Sequence, residues 1–181
     1  MSTHYVDGWR IDVERREDVP RLVPASALAR VVATALAAAG APNPASITLI
    51  LSDDAELAEL NRAHLGKAGP TDVLSFPLLA PSDYPGHPGK AEAGVPMPEA
   101  FALPPGARLH LGDIIVSVAR AVDQAAAGRG GQTGDVAWDA RDELRLLVTH
   151  GTLHVCGWDH AEPEEEAAMR ALERELLAQK S

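Results

Sequence analysis

Three histidines fall within the eleven residues His150-Gly151-Thr152-Leu153-His154-Val155-Cys156-Gly157-Trp158-Asp159-His160. A spacing of four puts His150 and His154 on one helix face, a turn apart, where both imidazoles can reach one ion at about 2.0–2.1 Å. Gly157 lets the backbone reverse, so His160 can approach from the side and leave a fourth tetrahedral position open for water. Three neutral imidazoles with an open position suit one catalytic zinc per chain, which brings the pKa of bound water toward about 7 and polarises a carbonyl or phosphoryl oxygen. Nickel, cobalt and iron accept the same ligand set. A lone histidine is more often an ordinary helix-end or turn residue, but three at this spacing are poorly explained that way. Cys156 lies two residues from His154 on the helix, so it should point elsewhere and reads as a small buried hydrophobe.

The same spacing, glycine included, occurs in metzincin proteases as H-E-x-x-H-x-x-G-x-x-H. Gly151 stands where their glutamate would be, and a glycine can neither take a proton from water nor return it to a leaving amine. Peptidase chemistry is therefore disfavoured. Asp159, beside the third histidine, has two readings: a replacement general base, or a turn residue that orients a neighbouring ligand.

The elements that must position these residues follow from periodicity and punctuation. Asp139 to Cys156 reads as the central helix, with Leu144, Leu147, Val148 and Val155 apolar and Gly157 ending it. Pro163 opens a closing helix whose buried stripe is Met169, Leu172 and Leu176, with Glu164, Glu165 and Glu166 at the positive end of its dipole. Upstream, Tyr5 to Val13 reads as an opening strand. Ser26 is the expected N-cap of a helix on Leu28, Val31, Val32, Ala35 and Leu36 that exits at Gly40. Ile47 to Leu51 is a strand, and Asp53 and Glu56 have capping-box spacing for a helix to about Ala63. Thr71 to Phe76 and His110 to Val116 are further strands, and Ser117 to about Ala127 is helical. From Leu78 to Gly106 seven prolines and several glycines break any period, so about 78–106 reads as a long, exposed, mobile insertion. Gly128, Gly130, Gly131 and Gly134 mark a flexible connection. The expected fold class is α/β (α+β): a small mixed sheet with helices on both faces and the metal site at the end of a central helix.

Size supports one domain over residues 1–181, since the chain can bury one core and is short for two. No apolar run approaches the roughly 18 residues of a membrane helix, and Met1-Ser2-Thr3-His4 begins nothing like a secretory signal, so a cytoplasmic location is expected. The single cysteine forms no internal disulfide. A net charge of −10 repels phosphate backbones, so any nucleic-acid role must be local. Acidic residues crowd the C-terminal part, at Glu162, Glu164, Glu165, Glu166, Glu173 and Glu175, which leaves room for a basic patch elsewhere.

The run from His150 to His160 resembles the H-G-x-L-H-L-x-G-Y-D-H signature of the YbeY endoribonucleases. Leu60-Asn61, Gly66-Lys67 and Pro70-Thr71-Asp72-Val73-Leu74-Ser75-Phe76-Pro77 are similar to that family's second segment, and Leu111-Gly112-Asp113-Ile114 to a third. The resemblance spans roughly Ile47 to Leu177. It implies a zinc-dependent, single-strand-specific endoribonuclease that matures the 3′ end of small-subunit ribosomal RNA and acts in ribosome quality control. Its partners would be ribosomal RNA and either small-subunit proteins or a ribosome-associated GTPase. It also implies His150, His154 and His160 as the ligands, with His150 counted in the catalytic centre. Members commonly carry Tyr-Arg where this chain has His64-Leu65, and Leu65 cannot bind phosphate. Arg62 or Lys67 could supply that charge, or both could be solvated surface cations. Thr71, Asp72 and Ser75 read as polar groups bordering the substrate groove, or as an ordinary turn and strand edge. Trp158, in place of tyrosine, could stack on a base or close the turn by packing. Two alternatives to the nuclease stand: a ribosome maturation factor with a mainly structural metal site, and another zinc hydrolase such as a peptidase or amidase.

Overall fold

The computed structural model describes residues 1–66, 69, 71–89, 107–128 and 138–179. In chain order these form β1 (Ser2–Val6), β2 (Trp9–Arg15), α1 (Ala25–Ala38), β3 (Ala45–Ser52), α2 (Asp54–Leu65), β4 (Val73–Pro77), β5 (Leu109–Ser117), α3 (Val118–Ala126), α4 (Ala140–Val155) and α5 (Pro163–Ala178). The five strands make one mixed sheet in the order β1-β2-β3-β5-β4. β2, β3 and β5 are parallel, and both edge strands, β1 and β4, run antiparallel to their neighbours.

Alternation along the strands divides the apolar residues between two faces. Ile11, Val13, Ile47, Leu49, Ile114 and Val116 join the larger core with Leu28, Val32 and Leu36 of α1 and Leu144, Leu147 and Val148 of α4. On the other face Leu57 of α2 is buried on Leu74 and Ile115, with Ile50, Leu60 and Phe76 around it. The sheet therefore carries helices on both faces, as its sequence pattern implies. Among the described residues no helix is long and apolar enough to cross a membrane.

Helix starts are fixed by side-chain oxygens accepting otherwise unpaired backbone N–H groups. Asp53 accepts from Glu56 N at 2.9 Å, Ser117 from Arg120 N at 3.2 Å, and Asp139 from Arg141 N and Asp142 N at 2.8 and 3.0 Å. The expected cap at Ser26 is corrected: α1 begins earlier, at N-cap Pro24, with no side-chain cap. The Pro24 carbonyl instead accepts from Ala27 N and Leu28 N at 3.0 and 3.1 Å. The single strand expected over Tyr5 to Val13 is a β1–β2 hairpin, because Asp7 and Gly8, at φ 47° and 94°, form a tight turn whose twist suits a two-residue connection.

Two further expectations meet a mixed outcome. Within the expected insertion, Leu78 to Gly89 holds a short 3₁₀ turn at Pro81–Asp83 and buries Tyr84 to 4% exposure, while Leu78, Ser82, Asp83, Pro85, Gly86 and Pro88 are exposed. Residues 90–106 lie outside the described residues, as do 129–137, which include most of the glycine-rich connection.

α4 lies directly on β4 and β5, and Gly151 is what lets it do so. A Cβ there would stand 2.6 Å from Ile114 Cγ2 and 2.9 Å from Val73 Cγ2. The glutamate of the protease motif has no room at this position. Gly151→Ala is expected to lower stability by about 1–3 kcal/mol through overpacking, seen as a melting temperature roughly 2–12 °C lower. An unchanged melting curve would show that the helix and sheet are less tightly apposed than described.

Candidate metal centre and cleft

The last two turns of α4 present His150 and His154 on one face, and the turn after it returns His160 to them. Cys156 caps α4, and Gly157 follows at φ 80°, a left-handed conformation that favours glycine. A Cβ on Gly157 would also meet Pro81 Cα at 2.9 Å, so the turn is packed against the Leu78–Gly89 stretch. Trp158 N donates to Leu153 O at 3.0 Å and Asp159 N to Gly89 O at 2.8 Å, which pins the turn from both sides. One ring nitrogen from each of His150, His154 and His160 lies within 4.8 Å of the others. The Nε2 atoms of His150 and His154 are 3.0 Å apart, close to the roughly 3.3 Å between two ligands on a tetrahedral zinc.

The support around these rings also suits a metal. Glu173 of α5, 6% exposed, accepts from His150 Nδ1 at 2.8 Å. That hydrogen bond places the proton on Nδ1 and the lone pair on Nε2, which faces the other two histidines. Burial first, and then the charges of His150 and His160, push the His154 imidazole down to about 4, while Asp159 and a hydrogen bond to the Trp158 backbone act in the opposite direction. His154 is thus neutral, as a ligand must be, across the neutral range. In the metal-free protein this has a stability consequence. As pH falls from about 6.5 to about 4 the unfolded chain takes up a proton that the folded one refuses, so stability present above about 6.5 is lost across that window. Chelator-treated wild type should show a steeper loss of unfolding free energy between those pH values than His154→Gln, and equal slopes would refute the assignment. Cys156 belongs to the core: it is fully buried, burial pushes its thiol up to about 12, and it is not among the converging ligands.

The three histidines sit in a cleft of about 1250 Å³. Thr71, Asp72, Ser75, Trp158 and Asp159 all reach its lining, so the structure gathers these sequence candidates round the histidines. Several are already engaged. Ser75 Oγ donates to Gly151 O at 3.0 Å, tying β4 to α4, and Thr71 Oγ1 donates to Val73 O at 3.2 Å. Asp72 accepts from Gln124 Nε2 at 2.6 Å, and Asp159 accepts from His160 N at 2.8 Å. Trp158 is 8% exposed, and the His87 ring stacks on it at 3.8 Å between centroids and 8° between planes. Arg62 is exposed on α2 and does not line the cleft, and Lys67 lies outside the described residues.

Sequence reasoning missed Glu173, Arg120, Gln124 and Arg170, all of which line the cleft. Glu173 had a readable signal. It stands four residues after Met169 on the buried stripe of α5, where a carboxylate needs a partner. Asn61 and His64 also line the cleft: Asn61 Nδ2 donates to Gly69 O at 2.9 Å, and His64 sits edge-on to Phe76.

The chain is similar to known proteins over most of its length. A 143-residue stretch is 41% identical to the endoribonuclease YbeY of Symbiobacterium thermophilum, covering 79% of this chain and 76% of that protein. The endoribonuclease YbeY of Moorella thermoacetica is 40% identical over 153 residues, 84% of each chain. The solution structure of TM1509 from Thermotoga maritima aligns with 93% of this chain and 90% of that one, at 19% identity and a TM-score of 0.46. The family model for Endoribonuclease YbeY matches residues 11–181, a span that runs from β2 to the C-terminus and contains the whole histidine cluster. With the cluster, its supporting carboxylate and the cleft all inside that span, the chain belongs to the YbeY endoribonuclease family.

Proposed function

We propose that this chain is a zinc-dependent, single-strand-specific endoribonuclease that works in the cytoplasm on the 3′ end of small-subunit ribosomal RNA and in ribosome quality control. Small-subunit proteins or a ribosome-associated GTPase would bring it to its substrate. The observation that carries the reading is the convergence of three histidine nitrogens within 4.8 Å, in a cleft, with His160 exposed to whatever enters it. Three imidazoles fit zinc and leave a coordination position for chemistry. When bound, zinc supplies Lewis acidity that activates water and offsets negative charge developing on the phosphate.

The chain's own residues do the rest. Glu173 fixes the tautomer and angle of His150, burial keeps His154 unprotonated, and the Gly157 turn presents His160 from the solvent side. Of the cleft carboxylates, Glu173 is committed to His150 and Asp72 to Gln124, while Glu166 forms an exposed ion pair with Arg170 on α5. Asp159, held by the His160 backbone N–H, has capacity left and is the residue we assign to take the proton from the attacking water. Thr71 and Ser75 would border the bound strand.

A second reading, a maturation factor with a structural metal, draws support from the net charge of −10, which is unfavourable for RNA. The two separate cleanly: purified protein that cleaves single-stranded RNA only when zinc is present is an enzyme, and zinc-loaded protein that leaves RNA intact is not. A peptidase is opposed by the absence of space for a glutamate at Gly151.

A further inference from the structure

A cleft that receives RNA has to offset the charge of the phosphates, and this one is lined by the carboxylates of Asp72, Asp159, Glu166 and Glu173. Among the described residues the arginines in its lining are Arg120 and Arg170. Arg120 Nε lies 3.0 Å from Asp54 and 4.0 Å from Asp72, so two carboxylates neutralise it within the fold. Arg170 is paired with Glu166 alone, at 2.7 Å, four residues away on the same helix. Its side chain is 38% exposed and that of Glu166 46%, and an exposed pair of this kind is weak and easily exchanged.

Position favours Arg170 as well. Glu166, Arg170 and Glu173 stand at i, i+4 and i+7 on one face of α5, and all three reach the cleft. Glu173 is the residue that holds His150, so Arg170 sits one helical turn from the support of the metal centre. A guanidinium offers two parallel N–H donors that match a phosphate, which a neighbouring carboxylate already mimics in the resting pair.

We propose that Arg170 is the residue that grips a backbone phosphate of the RNA strand beside the three histidines, and that Glu166 holds it in place until phosphate displaces the carboxylate. The inference rests on the nuclease reading above for its substrate. The test is binding of a labelled single-stranded RNA to zinc-loaded protein, read by anisotropy over a series of salt concentrations, with cleavage and zinc content followed on the same samples. Arg170→Ala is expected to weaken binding about tenfold and to reduce the slope of log K against log salt by about 0.7, with zinc content unchanged. Arg170→Lys should keep the wild-type slope while recovering only part of the affinity, because it keeps the charge and loses the fork. Glu166→Gln should bind more tightly than wild type at low salt. Wild-type affinity and slope in Arg170→Ala overturn the proposal, as does Glu166→Gln binding no better than wild type. Failure of zinc-loaded wild type to cleave RNA would instead sink the nuclease reading, and the binding series would still decide the role of Arg170.

Discussion

His154→Ala should leave the purified protein without stoichiometric zinc and cut RNA cleavage by at least about 10³-fold. The magnitude follows from removing a Lewis acid worth several kcal/mol to the transition state, at about 1.4 kcal/mol per factor of ten. His154 is the ligand for which the claim is sharpest. Its Nε2 lies 3.0 Å from that of His150, and its burial leaves it little other chemistry at neutral pH. His64→Ala is the matched control, since His64 lines the same cleft but stands apart from the cluster and should keep both metal and activity. Metal content by mass spectrometry and cleavage of a single-stranded RNA by gel, on the same preparations, check the pair. Full zinc in His154→Ala would mean that the three histidines do not act as one site.

Glu173→Gln should lower zinc affinity about 10–100-fold without abolishing it. A carboxylate on the far side of a ligating imidazole sets its tautomer and raises its basicity, and losing such a partner typically costs that much. The amide can still accept from His150 Nδ1, so the ring stays oriented while the charge behind it is gone. Cleavage should therefore fall at limiting zinc and return toward wild type when zinc is saturating, a rescue that His154→Ala cannot show. Competition against a chromogenic chelator gives the affinity. Wild-type affinity in Glu173→Gln would leave the buried carboxylate a purely structural partner of His150.

The histidine cluster was legible in the sequence as a possible metal site because much of its geometry is local. A spacing of four on a helix and a glycine turn bring all three histidines within eleven residues, although the turn that carries His160 is also held by the distant Gly89 carbonyl. The caps at Asp53, Ser117 and Asp139 are local too, each decided within three residues of the helix it starts. What lay beyond reach depends on tertiary contact. Glu173 is 23 residues from His150, and in the sequence it resembles the other acidic residues around it. Only its place on the buried stripe of α5 distinguishes it. The stretch after Leu78 shows the limit of composition: proline and glycine announce irregular backbone, but whether that backbone is exposed depends on what packs under it. Here Tyr84 is buried, Pro81 abuts Gly157, and the Gly89 carbonyl holds the turn that carries His160. The hairpin has a local signal. Asp7-Gly8 is a strong turn signal, and a reversal there explains why the apolar pattern from Tyr5 to Val13 is irregular for one strand.

Arg62 shows what spacing on a single helix leaves open. One helical turn before Leu65 it was a reasonable source of positive charge, but the face of α2 that it occupies is exposed and away from the cleft lining. Among the described residues the arginines that line it come from α3 and α5, elements that no local pattern places beside the histidines.

The most direct measurement is cleavage of one labelled single-stranded RNA and of its fully paired duplex by wild-type protein, first stripped of metal with a chelator and then titrated with zinc. The expected result is no cleavage by the stripped protein, recovery that saturates at one zinc per chain, and a strong preference for the single strand. Cleavage that persists undiminished in the stripped protein, or one bound zinc per chain with both RNAs intact, would contradict a catalytic metal at His150, His154 and His160.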